Sequence, residues 1–293
     1  MDKKKLIIID GNSLANRAFY AIRTMLTTKD GDPTNAVYGF ANMLVRLMDE
    51  EKPDMIAVAF DKSGPTFRHI EYEDYKATRK GMPDELRFQM PFIKELLSAF
   101  RIPSMEIDGY EADDIIGTVA KKSEEEGYEC LIITGDKDTL QLVSDSTLAM
   151  LTKRGISNME VYDVKSVEEH LGISPQYVTD MKGLAGDASD NIPGVPGIGP
   201  KTAIRLIKTL GFLEDILDNI DNIKSTRTKN LLRKYGDQAR LSKRLATINR
   251  EVPIEFKLDE FNVKEPDWFA LAKLLERLEF KTLMKRIKER LCD

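Results

Sequence analysis

The 293-residue chain has little of what builds the commoner metal and redox sites: two cysteines, two histidines and one tryptophan. Cys130 lies in an apolar run and Cys292 at the end of the chain, which gives no disulfide framework and points to a reducing cytoplasm. With His69 and His170 as the sole imidazoles, zinc chemistry on nitrogen and sulfur is disfavoured. No apolar run approaches the roughly 20 residues of a membrane helix. The basic start Lys3-Lys4-Lys5 leads into a run far too short for a signal peptide, which ends at Asp10. Internal repeats and low-complexity linkers are also missing, and the hydrophobic share, 42%, is that of an ordinary globular protein.

What is present is acid in particular places. Leu6-Ile7-Ile8-Ile9 runs into Asp10, Met55 to Phe60 into Asp61, and Cys130 to Ile133 through Thr134-Gly135 into Asp136. Unbroken apolar runs with helical stretches between them read as parallel strands buried on both faces. Outside the carboxyl ends of such strands lies the crevice where ligands bind. Gly109-Tyr110-Glu111-Ala112-Asp113-Asp114 opens a helix whose acids share one end, and Asp138 follows Asp136. One strand-end Asp is ordinarily a helix N-cap or turn residue; three of them beside a Glu-Ala-Asp-Asp run are harder to explain that way. Two carboxylates about 4 Å apart repel by roughly 4 kcal/mol at an effective dielectric near 20, so converging acids call for cations. An all-oxygen donor set favours magnesium or manganese, and several acids around one cleft suit two ions for phosphodiester hydrolysis.

Net charge is −5, yet Asp10, Asp61, Glu111, Asp113, Asp114, Asp136, Asp138, Asp187 and Asp190 hold −9 of it and leave the remainder at +4. That asymmetry suits a polyanion binder with a metal-filled cleft. Arg17, about two turns beyond Asp10, could reach a phosphate or be an ordinary solvated helix arginine. The segment from Phe67 to Lys80 leaves a strand end and has little apolar content. Read as helix, it puts Arg68, Tyr72, Tyr75, Lys76 and Arg79 on one side, cations among aromatics as single-stranded nucleic acid favours. His69 has no partner pattern. Gly186-Asp187 through Ala203 reads as helix, glycine hairpin and helix, with Pro200 first in the second helix and Gly211 just past its end. A helix-hairpin-helix grips duplex phosphate through backbone amides without reading sequence. The P-loop alternative fails because Pro200 separates Gly199 from Lys201. Lys224 to Arg244 is basic, Val252 to Phe256 reads as a late edge strand, and Trp268 to Leu283 as one amphipathic helix.

Ile9-Asp10-Gly11-Asn12-Ser13, Asn35 to Phe40, Ala59-Phe60-Asp61, Phe67-Arg68-His69, Tyr75-Lys76, Gly109 to Asp114, Gly135 to Asp138 and Gly186 to Ala203 together resemble the 5′-nuclease (flap endonuclease) family. The closest resemblance is to the branch at the amino terminus of bacterial DNA polymerases. It implies an α/β fold: a central, mostly parallel sheet flanked by helices (a PIN-like core, residues 1–173), a helical arch at about 64–90, and a helix-hairpin-helix region with C-terminal helices over 174–293. It implies a divalent-metal 5′-3′ exonuclease and flap endonuclease acting near junctions of single strand and duplex, in primer removal, Okazaki fragment processing and repair. Asp10, Asp61, Glu111 and Asp113 would serve the first metal with Asp114 close by; Asp136, Asp138, Asp187 and Asp190 would serve the second. Lys76 and Arg79 would neutralise the scissile phosphate and Arg17 position it. Arg68, Tyr72 and Tyr75, with the hairpin residues Gly194, Val195, Gly197, Ile198, Gly199, Lys201 and Thr202, would bind DNA, a potassium ion sitting on the hairpin carbonyls. Expected partners are DNA with a 5′ flap, nick or 5′ end and RNA/DNA primer junctions, for a monomer in the bacterial nucleoid. A polymerase portion would follow in the same chain, or the enzyme is free-standing.

Overall fold

The structure is a computed structural model that describes residues 3–22, 26–152 and 159–291; Met1, Asp2 and Cys292 lie outside them. Strand β1 (Lys5–Asp10) is central, with β2 (Met55–Ala59) on one side and β4 (Glu129–Thr134) on the other, both parallel to it. The short β3 (Ser104–Met105) continues beyond β2, β5 (Thr147–Thr152) beyond β4, and β6 (Met159–Tyr162) closes the edge antiparallel. The order is therefore β3-β2-β1-β4-β5-β6, a mostly parallel sheet as expected. The chain leaves β1 towards β2 and later returns to its opposite side as β4. That reversal puts the topological switch point, where the mouth of a parallel sheet opens, between the ends of β1 and β4.

Period-two alternation sends the side chains of β1 to two cores. Ile7 and Ile9 pack with α1 (Gly11–Ala21), α2 (Asn35–Glu51), α4 (Asp84–Ala99), α11 (Trp268–Arg277) and α12 (Leu283–Leu291). Leu6 and Ile8 pack with α5 (Ala112–Glu125) and the stretch around Ile248, Leu258 and Phe261. A third core joins α7 (Val178–Ala185), α8 (Pro200–Leu210), α9 (Leu213–Asp218) and α10 (Thr226–Ala246) around the hairpin of Val195 and Ile198. Helix α6 (Val164–Leu171) covers the β5–β6 edge through Val167. Beyond α10 the chain returns to the sheet. Among the described residues no helix is long and apolar enough to cross a membrane.

Three local expectations need correction. The segment after Asp61 forms only the short helix α3 (Phe67–Glu71) and then turns, instead of one long helical face. Lys76 takes φ of 55°, a left-handed value that stops a helix, and Tyr75 is pulled into a small core with Ile192, Leu245 and Ala246. No strand forms over Val252–Phe256. Pro253 has no N–H for a ladder, and the segment instead lays Ile254 and Phe256 over the α5 face. The terminal helix breaks at Glu279, whose φ is 59°, giving α11 and α12 in place of one helix.

The hairpin joint is tight. Gly194 has φ of 58°, and a Cβ there would come within 2.1 Å of the Gly186 nitrogen. Gly194→Ala is expected to lower stability by about 2–4 kcal/mol, from left-handed strain and a backbone clash together. A urea unfolding series reads this, and a loss under about 0.5 kcal/mol, the range of a neutral surface change, would contradict the close approach.

Candidate functional site

A cleft of about 1220 Å³ opens at the switch point. Seven of the nine acids singled out from the sequence line it: Asp10, Asp61, Glu111, Asp113, Asp136, Asp138 and Asp187. Arg17, Lys76, Arg79, Lys137 and Lys182 line it too.

Asp10 ends β1 and caps α1, its carboxylate accepting the Ser13 N–H at 2.9 Å and the Thr134 hydroxyl at 2.8 Å. It is an N-cap and a cleft acid at once. Burial pushes its carboxyl up to about 7, with Asp61 and Asp136 adding repulsion against the two hydrogen bonds. Asp61 accepts the Ala112 N–H at 2.8 Å, and burial raises it as well. Asp113, in the first turn of α5, is raised further by burial and by Asp136 and Asp10, and its Oδ1 is buried with no hydrogen-bond partner. An orphaned carboxylate oxygen facing like charges is a group short of a cation.

Across the cleft Asp136 caps a 3-10 turn over Lys137–Leu142 and accepts the Asp138 N–H at 2.9 Å. Lys182, on α7, was not singled out from the sequence. Its one signal there is a lysine in the otherwise apolar run Met181-Lys182-Gly183-Leu184. Its ammonium bridges Asp138 and Asp187, the latter at 2.5 Å. Asp138 is still pushed up to about 6 by burial and Asp136, whereas for Asp187 Lys182 and Ser189 outweigh burial and bring it to about 2. One ammonium thus sits with two carboxyls shifted in opposite directions. The difference lies in their surroundings: Asp138 has Asp136 beside it, and Asp187 has the Ser189 N–H and hydroxyl at 2.8 and 2.6 Å.

Glu111 caps α5 and accepts from Lys76 at 2.7 Å, Tyr75 at 3.1 Å and Arg68 at 3.3 Å. Burial alone would raise its carboxyl, but Lys76 and Arg68 outweigh burial and lower it. Arg79 is paired with Asp190. Arg17 donates to the Thr152 hydroxyl and carbonyl at 3.2 and 2.6 Å, which pins it to the end of β5 at the cleft wall. As these side chains stand, no group of three or more His, Cys, Asp or Glu among the described residues is gathered around one cation position. The chain's own cations pair with three of the cleft acids, Lys76 and Arg68 with Glu111 and Lys182 with both Asp138 and Asp187. The two imidazoles lie elsewhere, His69 bonded to Thr66 and His170 beside Lys137.

Several expected ligands and contacts sit differently. Asp114 does not line the cleft. It is fully buried and accepts both forks of Arg68 at 2.7 and 2.8 Å, along with the Asn249 N–H. Because the helix begins at Ala112, Asp114 is its third residue and turns back to cap Glu111, away from the cleft. Asp190 also lies outside the cleft lining, tied to Arg79, Tyr75 and Lys76. Arg68, 2% exposed, cannot reach DNA from this position; it also donates to the Leu245 and Thr247 carbonyls and so pins the end of α10. Tyr75 is buried and Tyr72 half-buried against the same core. In the hairpin, Val195 and Ile198 face inward, and the Gly194 N–H and carbonyl are taken by Ser242 and Gln238. Gly197, Gly199 and Lys201 are exposed and Thr202 half-buried at the start of α8. Of the basic stretch, Arg233, Arg240, Lys243 and Arg244 pair with acids of this chain.

Residues 5–172 match the family model for the 5′-3′ exonuclease N-terminal resolvase-like domain, and 173–268 that for the 5′-3′ exonuclease C-terminal SAM fold. DNA polymerase I of Bacillus subtilis is 45% identical over 288 residues, 98% of this chain. The chain spans about a third of the length of the curated relatives it matches. A bacteriophage T5 flap endonuclease in complex with DNA and metal ions has the same fold, with a TM-score of 0.71 at 20% identity over 98% of this chain and 99% of that one. T5 5′-exonuclease with divalent zinc bound gives 0.68, likewise at 20% identity, over 98% and 99%.

Losing one partner of the Arg68–Asp114 pair leaves a buried charge unmatched. Arg68→Met is expected to cost about 3–5 kcal/mol of stability, and the double change with Asp114→Leu less than Arg68→Met alone. Chemical denaturation of both variants reads this; additive losses would contradict the pairing.

Proposed function

Because the chain belongs to the 5′-3′ exonuclease family, we propose that it is a structure-specific 5′ nuclease, hydrolysing phosphodiester bonds near junctions of single strand and duplex. The observation that carries this reading is the convergence of seven carboxylates at the sheet's switch point, with the hairpin following directly from Asp187. The donor set is all oxygen, Asp113 Oδ1 lacks any partner and burial raises Asp10, Asp61 and Asp138, so the residues present fit divalent cations. Asp10, Asp61, Glu111 and Asp113 would hold one Mg²⁺ or Mn²⁺; Asp136, Asp138 and Asp187 would hold another, while Asp190 stays on Arg79, Tyr75 and Lys76. When bound, such ions supply a water nucleophile and stabilise the leaving oxygen.

The protein's own groups orient the substrate. Lys76 and Arg79 stand on the cleft wall opposite β4 and offer positive charge to the phosphoryl oxygens as charge develops. Arg17, held by Thr152, positions the phosphate. The exposed Gly197–Lys201 turn grips duplex backbone, a potassium ion on the hairpin carbonyls completing the site. The substrates are DNA with 5′ flaps, nicks or 5′ ends and RNA/DNA primer junctions, and the role is Okazaki fragment processing and repair beside a polymerase in the same or another chain. The protein acts as a monomer at the nucleoid.

The pairing of Lys76 and Lys182 with the acids favours a second reading, a module that binds junctions without cutting. A 5′-labelled double-flap DNA, set beside the free strand and a blunt duplex, separates the two. The nuclease reading expects product at the flap junction in magnesium and none in EDTA; tight binding without product in magnesium or manganese would support the module. Asp136→Ala is expected to abolish cutting while leaving flap affinity within about threefold, the context scatter of one contact. Lys76→Ala is expected to lower kcat by about 10²–10³ with little change in binding; a loss confined to affinity would remove its catalytic role.

A further inference from the structure

Lys182 is 9% exposed, and its backbone is fixed. Two residues earlier Asp180 pairs with Lys243 and accepts the Leu213 N–H at 2.7 Å, while Val178 and Leu184 are buried on the same helix. The helix cannot shift to move the ammonium, but four methylenes can. The atoms it holds, Asp138 Oδ1 and Asp187 Oδ2, are those that the foregoing section assigns to a divalent ion. A magnesium–oxygen distance is about 2.1 Å, so an ion on those oxygens would lie against the charge of the ammonium and compete with it for the same carboxylates.

We propose that Lys182 is a tethered counter-cation that holds the Asp138–Asp187 pair together in the metal-free protein and yields to a divalent ion. It thereby sets the metal concentration at which that half of the cleft fills. Without it, two half-buried carboxylates beside Asp136 would repel, so the lysine keeps the pair assembled and makes the second ion compete for it. At the other half Lys76 and Arg68 both contact Glu111, and Lys76 reaches Asp190 at 3.8 Å, whereas no ion pair among the described residues holds Asp10, Asp61 or Asp113. On those three carboxylates the first ion meets no paired ammonium, and the two halves fill in order.

This inference rests on the metal reading of the cleft, and binding experiments separate the two. In the unaltered protein, Mn²⁺ counted by electron paramagnetic resonance is expected to bind as one tighter and one weaker ion. In Lys182→Met, which keeps the stem and loses the charge, the weaker ion is expected to tighten about tenfold, or about 1.4 kcal/mol. Lys182→Arg, which keeps the charge, is expected to show no tightening. Two ions in the unaltered protein with the weaker one unchanged or weakened in Lys182→Met would overturn the role of the lysine alone. No bound Mn²⁺ in the unaltered protein would overturn the metal reading and this inference with it. Should Lys182→Met not fold, acetic anhydride labelling of the unaltered protein, read by mass spectrometry, decides. Lys182 is expected to label several-fold faster with saturating Ca²⁺ than without, and an unchanged or slower rate would overturn the inference.

Discussion

Mutual repulsion among carboxylates crowded at the end of one sheet is the constraint around which this molecule is arranged. Asp10, Asp61, Asp113, Asp136 and Asp138 meet at the end of a parallel sheet because each is fixed to a strand end or a helix start that the core does not allow to move. A chain could not hold them there without compensation. Two kinds are present: hydrogen bonds from Ser13, Thr134 and Ala112, and the cationic side chains Lys76, Lys182 and Arg79. What remains uncompensated is concentrated on Asp113 and Asp10, and there the demand for an external cation is greatest.

Beneath this layer Arg68 ties three parts of the chain together. It joins the short helix after Asp61, the first turn of α5 and the end of α10 through Asp114, Leu245 and Thr247. The cleft acid Glu111 shares its capping box with Asp114 and accepts from Arg68, so the geometry of the cleft depends on a buried pair that does not line it. The hairpin region and the sheet are joined at the same place. The proposed grip on duplex at the hairpin and the proposed chemistry at the mouth of the sheet would thus be linked through Arg68.

Much of this could be read from the residues. Apolar runs leading to Asp made three parallel strands, β1, β2 and β4, plain, because a buried parallel strand has a strong one-dimensional signature. The family resemblance was borne out by both domain matches. The failures have tertiary causes. Periodicity put Arg68, Tyr72 and Tyr75 on an exposed face, whereas contacts with residues more than 170 positions away turn Arg68 inward. Spacing of three put Asp114 on one face with Glu111 in a helix starting near Tyr110, but the helix starts at Ala112, which makes Asp114 a reciprocal cap instead. Lys182 was passed over because a lone lysine in an apolar helix has no local signature of its partners.

The central claim is that the carboxylates of this cleft are a divalent-ion site, and anomalous diffraction from crystals soaked in Mn²⁺ tests it most directly. The account predicts two peaks about 3.5–4 Å apart, one against Asp10, Asp61, Glu111 and Asp113 and one against Asp136, Asp138 and Asp187, with the Lys182 ammonium moved off its carboxylates. A cleft without manganese, Lys76 and Lys182 still paired as they are here, would contradict it.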